Sequence, residues 1–585
     1  MKKEPRKLVI KTKIILFLIL FISNKAISAS SFPIEESFQI FHPEYSEQGM
    51  VASQEKTASE IGAKILKQGG NAVDAAVAVG YALAVTLPKA GNIGGGGFML
   101  VWLNKEKKSI VINYREKAPF AATKDMFLDK KGRVNVDEIT TSYNGAGVPG
   151  TVYGLNLALK KYGTLPLKKV MEPAINLARN GITVTHALSI SLTESMKHLQ
   201  KNEESTRIFF KKNKEPYNPG ETLYQKDLAN TLEEIANKGT DAFYRGSIAK
   251  KIVEDVKTHK GIMTLKDLQD YKAIEMSPIE GTYNGFTVLS VPPPSSGGVT
   301  LIEILNILEN YDFKKIPFRS AEYFHILSEA MNFAYYDRNN SLGDPDFVKN
   351  PIEKLISKKY AKEIFQKIDL KNHIPSEIVQ KEGIRRESNQ DGNTTHYSVV
   401  DKFGNMVSNT YTLNYYYGNG KTAKGTGILL NNEMDDFTAK VGAANSFGLV
   451  QGAKNSIEPQ KRPLSSMTPT ILLNSKKEAI LATGAPGGSR IITQSLLMIT
   501  GFIDYQKNIA SLASYPRFHR QLWPDKFYYE DGIAYETLEV LKKMGHDIER
   551  VNPYGSLQTV QKNIENRFLG SSDPRSEGDA AVGVW

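Results

Sequence analysis

The chain has 585 residues, 74 Lys and Arg against 63 Asp and Glu, no Cys, and 41% hydrophobic residues. It is long enough to bury at least one large core. Without a thiol it excludes disulfides, iron–sulfur clusters, Cys zinc sites and Cys nucleophiles, so covalent catalysis would fall to Ser, Thr, Lys or a carboxylate. The net charge of +11 divides into +6 on residues 1–29 and +5 on all the rest, which suits solubility and is no footprint for nucleic acid.

Residues 1–29 read as a secretory signal: a basic start, an apolar run from Ile14 to Ile22, and small residues at Ala26, Ser28 and Ala29. The run is far shorter than the ~20 residues of a membrane span. The expectation is export to the periplasm or the medium, with no stable membrane anchor.

Lys56 to Gln68 has helical spacing, Gly69 and Gly70 stop it, and Asn71 with Asp74 starts a second helix. That helix, VDAAVAVGYALAVTL, is apolar nearly all round and is therefore predicted to be buried. Pro88 ends it. GNIGGGGFMLVWL and SIVINYRE read as neighbouring strands, with Arg115 at the end of the second. The glycine run is no phosphate loop: it lacks the Lys-Ser/Thr ending and leads into a strand. Residues 150–370 read as mainly helical, interrupted by the strand-like GFTVLSVPPPSSGG. From about Asp369 to Asn393 the chain turns polar and charged, the composition of an exposed linker.

TTHYSVV, DKFGN and MVSNTYTL then read as a hairpin. With its turn centred near Phe403, Thr394 faces Thr412 to within one or two positions. Such a pair is ordinarily cross-strand packing. What favours a chemical role is the position of Thr394, the first residue of the hairpin at the linker's end.

NTTHYSVVD from Asn393, NEMDDF from Asn432, RPLSSMTPT from Arg462, GAPGGSRI from Gly484 and SDPR from Ser572 resemble the motif set of γ-glutamyltransferases, also called γ-glutamyl transpeptidases. QGGNAVDAAVA, GGGGFML, the YRE segment and GVPGTVYGL extend the resemblance over the N-terminal half, in order from about residue 45 to the C-terminus. It implies an α+β fold, the four-layer αββα sandwich of the N-terminal nucleophile hydrolases. It also implies a precursor that cuts itself between Asn393 and Thr394, giving a large subunit of 30–393 and a small catalytic subunit of 394–585. The implied reaction moves the γ-glutamyl group of glutathione or a related donor to water or to an amino acid or peptide, with no cofactor.

A threonine hydroxyl needs a base, and an α-amine, with a pKa near ~7.7–8.0, supplies one only after the cut. Internal Thr394 is therefore expected to be nearly inert and terminal Thr394 active. By the resemblance, Thr412 orients Thr394, and Gly487 and Gly488 offer backbone N–H groups to the oxyanion. Arg115, Ser465 and Ser466 hold the donor's α-carboxylate, and Asn414, Glu433 and Asp436 take its α-amine. Taken alone, the glycines would be a strand-to-helix turn, the two acids a solvated turn, and Arg115 a surface partner of Glu116.

Some relatives have Gln where Glu433 stands, and many bacterial ones have Tyr where Phe447 stands, in a loop from Thr438 to Gln451 that reads as a lid. No two of the nine His lie at i+3 or i+4 spacing, so no metal is expected, and His396 is as much a packed strand residue as a participant. No G-x-S-x-G elbow is present, which disfavours an α/β-hydrolase. The alternatives are a glutaryl or cephalosporin acylase of the same fold and a non-enzymatic exported binding protein.

Overall fold

The computed structural model describes residues 40–380 and 392–585. The expected signal segment and the second half of the expected linker lie outside the described residues. Two seven-stranded antiparallel sheets organise the chain. One runs, edge to edge, Ala580–Val584, Gly49–Ser53, Gly392–Asp401, Met406–Tyr415, Gly96–Leu103, Lys108–Asn113 and Ile274–Met276. The other runs Glu44–Ser46, Phe568–Ser572, Gln558–Lys562, Ala479–Gly484, Thr470–Leu473, Phe286–Ser290 and Ile279–Tyr283.

Side-chain alternation builds the layers. Met50 and Ala52 of the first sheet meet Leu289, Ile471 and Val560 of the second in a dry layer between the sheets. Val51, Val399 and Val407 point the other way, into the core under helix Ala72–Thr86. Val288, Leu472 and Leu569 of the second sheet face helices Gly297–Leu308, Ala321–Ser341 and Arg490–Ile503. The order is helix, sheet, sheet, helix, as the resemblance implies. Both sheets combine strands from before and after residue 393, so the two parts of the chain share one core.

The first helices follow their local signals. Helix Lys56–Lys67 ends at the Gly pair, and the next is held by a capping box in which Asn71 accepts from Val73 N and Asp74 N while Asp74 accepts from Asn71 N at 2.8 Å. All of Ala72–Thr86 is buried. Residues 150–370 are less purely helical than predicted, because Ile274–Met276 and Ile279–Tyr283 form sheet edges. Short edge strands carrying exposed Glu275 and Glu280 offer no apolar period for the sequence to reveal. The segment expected to be an exposed linker from Asp369 is exposed at most of its residues as far as Gln380, but it is anchored to the body at His373 and Ser376. His373 N donates to Met544 O at 2.6 Å, and Ser376 is fully buried with its hydroxyl donating to Leu522 O at 2.7 Å.

Asp74 also accepts from Thr164 N, Thr164 Oγ1 and Leu165 N, tying the turn after the next long helix to the cap. Asp74→Ala removes the cap and leaves those donors buried. It is expected to cost about 2–4 kcal/mol in urea unfolding; a loss below about 0.5 kcal/mol would show that water replaces the carboxylate.

Candidate active site

The hairpin register is the predicted one: Thr394 pairs with Thr412, Thr395 with Tyr411 and His396 with Thr410. Even-numbered residues of Gly392–Asp401 turn toward the second sheet, as Val400 in the inter-sheet layer shows, while Val399 faces the helices. Thr394 thus points toward the second sheet at the end of its strand. Its Oγ1 lies 3.3 Å from Thr412 Oγ1, and Thr412 Oγ1 accepts from Asn414 N at 2.8 Å. The register slips between Gly392 and Thr394, where two residues of the partner strand, Leu413 and Asn414, oppose the single Asn393. Asn414 takes up this bulge with φ +78°, and its amide donates to Asn432 O, which leaves Oδ1 as its acceptor. The irregularity thus faces the bond at which cleavage is expected.

Gly487 and Gly488 follow strand Ala479–Gly484 and precede helix Arg490–Ile503. Both have left-handed φ, +126° and +56°, and a Cβ on Gly488 would sit 2.4 Å from the Phe447 ring. Neither N–H has an acceptor among the described residues. Phe447 covers Gly488, stands edge-on to Tyr415, and is held by Gln521 Nε2 donating to its carbonyl at 2.9 Å. His396 is a packed strand residue. Its ring nitrogens lie 2.8 Å from Thr410 Oγ1 and 3.0 Å from Ser398 Oγ, and burial pushes it down to about 3.

Glu433 and Asp436 lie on a one-turn 3₁₀ helix that is buried rather than solvated. Arg115 is fully buried, not a surface residue. Its Nη1 donates to Glu433 at 2.5 Å, its Nη2 to Asp436 and its Nε to Pro463 O, with Glu116 3.6 Å from Nη1. One guanidinium thus faces three carboxyls. Burial pushes Glu116 up to about 7 and raises Glu433 and Asp436, while Arg115 pulls all three down.

Thr394, Thr412, Arg115, Glu433, Asp436, Ser465, Ser466, Gly488 and Phe447 line one cavity of about 20 Å³, room for about one water. Gly487 and Asn414 flank this lining, and the side chain of Asn393 lies outside what the structure describes. Sequence reasoning missed Arg338, which lines the same cavity from helix Ala321–Ser341. A cation in a helix's last turn reads as a partner of the helix dipole. The available signal was the Ser-Ser of PPPSSGG, since Arg338 Nε donates to Ser296 Oγ at 3.1 Å.

Among the described residues, His325, Glu329 and His546 could hold a metal, with ligand atoms within 4.8 Å of one another. His325 and Glu329 lie one turn apart on helix Ala321–Ser341 while His546 comes from a distant segment, so spacing between histidines alone does not reveal the group. Their atoms already have protein partners: His325 Nδ1 is 2.8 Å from His546 Nε2, and Glu329 is 2.6 Å from His373 Nδ1. None lines the Thr394 cavity.

The Gamma-glutamyltranspeptidase family profile matches residues 58–583. The chain is similar to the glutathione hydrolase proenzyme of Escherichia coli strain K12, 49% identical over 94% of each chain. It is also similar to that of Bacillus subtilis strain 168, 39% identical over 92% of this chain and 91% of the relative. Among solved structures, a cephalosporin acylase from Bacillus halodurans superposes with a TM-score of 0.80 at 25% identity, covering 96% of this chain and 99% of that one. Helicobacter pylori gamma-glutamyltranspeptidase superposes with a TM-score of 0.54 at 46% identity, covering 55% of this chain and 92% of that one.

The charge cluster has a measurable sign. Arg115→Met leaves three buried carboxyls without their cation and is expected to cost about 3–5 kcal/mol near neutral pH. Without the guanidinium their folded pKa values rise further above the unfolded ones. The folded variant therefore binds the extra protons, and its stability falls as pH rises through the range from the unfolded carboxylate pKa to 7 and above. In urea unfolding the penalty should be smaller at pH 5 than at pH 8; equal losses would mean that the carboxyls do not feel Arg115.

Proposed function

The chain belongs to the γ-glutamyltranspeptidase family, and from that premise we propose that it is a self-processing γ-glutamyltransferase whose nucleophile is Thr394. The observation that carries the reading is that Thr394, at the end of its strand, shares one cavity with Arg115 and with Glu433 and Asp436, from two other segments. A γ-glutamyl group bears an α-carboxylate and an α-amine, and these residues offer both charge signs.

In the precursor, Thr394 Oγ1 attacks the carbonyl of Asn393, the peptide C–N bond breaks, and the acyl group moves to oxygen. Water hydrolyses that ester, leaving the Asn393 carboxylate and the free amine of Thr394. The amine then takes the Oγ1 proton as the hydroxyl attacks the γ-carbonyl of the donor. The N–H groups of Gly487 and Gly488 stabilise the oxyanion, a role worth ~2.7–4 kcal/mol per donor. Collapse returns the proton to the departing amine, and the Thr394 ester passes the γ-glutamyl group to water or to an amino acid or peptide amine. Thr412 Oγ1, its direction set by Asn414 N, aligns the nucleophile.

Glutathione and related γ-glutamyl compounds are the donors this site suits. Glu433, buried, and Asp436, partly buried, favour them over a glutaryl donor, which has no ammonium to pair with the two acids. The subunits are 30–393 and 394–585, and the basic, apolar leader supports export. No helix of the described residues is long and apolar enough to cross a membrane.

Denaturing mass spectrometry of the exported protein tests the reading. From 65.0 kDa for the whole chain, pieces of about 40 and 21 kDa are expected, the smaller beginning at Thr394. Under native conditions they should run together, because both sheets mix strands of both pieces. Thr394→Ala should stay uncut and inactive. The wild type should hydrolyse a γ-glutamyl anilide much faster than a glutaryl anilide. A Thr394→Ala chain still cut after Asn393, or a preference for the glutaryl anilide, would overturn the reading.

A further inference from the structure

Arg338 is a buried guanidinium with no carboxylate in contact among the described residues. Its Nη2 donates to Ser466 Oγ at 3.1 Å, its Nε to Ser296 Oγ at 3.1 Å, and its Nη1 to Gln451 Oε1 at 2.5 Å and Asn339 Oδ1 at 3.1 Å. Four neutral acceptors satisfy its geometry and leave its charge without a contacting counter-ion. A buried cation in that condition is costly unless something offsets it, and here it lines the cavity that holds Thr394.

The direction of these hydrogen bonds matters as much as the charge. An arginine can only donate, so Ser466 Oγ can only accept from it, and the Ser466 proton must point elsewhere. Among the described residues no side chain or carbonyl is hydrogen-bonded by that proton, and the cavity lies in front of it. Ser465 Oγ is set the same way, accepting from Met467 N at 3.0 Å. Behind both stands the Ser-Ser of the PPPSSGG segment. Ser296 N and Oγ both donate to Ser465 O, at 2.8 and 2.7 Å, and Ser295 Oγ donates to Met467 O at 2.6 Å. The two serine hydroxyls are thus left free to donate into the cavity they line, and a second positive charge lies directly behind one of them.

We infer that Arg338 is the positioning residue that makes this site select donors carrying an α-carboxylate, by fixing the Ser466 hydroxyl as a donor and adding its charge to that of Arg115. This deepens the γ-glutamyl reading and rests on it. Arg338 does not touch the reacting atoms. It also reaches Gln451, at the end of the lid loop, whose Nε2 donates to Asp436 O at 3.1 Å, so the carboxylate side, the acid turn and the lid share one brace.

The test compares a γ-glutamyl anilide with a 4-aminobutanoyl anilide, which keeps the amine and lacks the α-carboxylate. The readout is the ratio of kcat/KM for the two. Arg338→Met should lower the ratio by about 10–100-fold, through KM of the γ-glutamyl anilide, with its kcat within about threefold. Arg338→Lys, which keeps the charge without the fork that spans Ser296 and Ser466, should fall between wild type and Arg338→Met. Should Arg338→Met fail to mature, Arg338→Lys and Ser466→Ala decide the matter, since each should lower the same ratio. Equal losses for the two anilides, or an unchanged ratio, would mean that Arg338 only supports the fold, and the inference falls. A wild type that turns over neither anilide overturns the donor reading itself and takes the inference with it.

Discussion

The pairing of Gly392–Asp401 with Met406–Tyr415 is the constraint on which the site depends. Both faces of these strands are buried, one against helices and one against the second sheet. A slip of one residue would drive His396, Ser398 and Thr410 into the helix-facing core and Tyr397 and Val399 into the inter-sheet layer. Register is therefore fixed by cost on two sides at once. Thr394 inherits its direction from that register: it points to the layer where Gly484 closes on His396 and where the chain turns through Gly487 and Gly488. The bulge at Leu413 and Asn414 interrupts regular pairing one residue before the proposed nucleophile, so the strand can lose everything upstream of Thr394 and keep the seven pairs from Thr394 onward.

The second constraint is electrostatic. Arg115 and Arg338 are both buried in the wall of one small cavity, the first with three carboxyls and the second with none in contact. Arrangements like this are poor contributors to stability, since each buried charge loses its water and only good partners return that energy. They make sense as a pocket that offers both charge signs, with Arg338 and the serines on one side and Arg115 among the acids. In the uncut chain Arg115 pairs with one oxygen each of Glu433 and Asp436. A zwitterionic γ-glutamyl group would replace those internal pairs with external ones, so binding it is an exchange of partners and spares the site the full cost of desolvating each charge.

What the sequence made legible follows from locality. The capping box at Asn71, the stop at Gly69, the buried Ala-rich helix and the hairpin register are each decided by residues a few positions apart, and the structure agrees with each. The two-layer sheet core and the motif residues of the site came from the resemblance, because no spacing rule places Arg462–Thr470 beside Asn113–Arg115. The failures share one cause. His373 and Ser376 look like linker residues because they are polar, yet Glu329 and Leu522, distant in sequence, satisfy them inside the protein. Arg338 looks like a dipole partner at a helix end, and only the fold brings Ser466 to it. Glu433 and Asp436 look solvated until Arg115 is buried between them.

Cleavage and chain topology then fit together. Each sheet draws strands from both sides of residue 393: Gly49–Ser53 lies between Ala580–Val584 and Gly392–Asp401, and Phe286–Ser290 pairs with Thr470–Leu473. Cutting one bond at the rim of such an interleaved core removes a covalent link but none of these ladders. The free energy that holds the two pieces together is that of the core itself, and the proposed cut places the new N-terminus at the end of a strand paired on both sides. A nucleophile that must also be its own base needs that combination, because its amine is useful only if the hydroxyl beside it stays aimed after the bond that held them is gone.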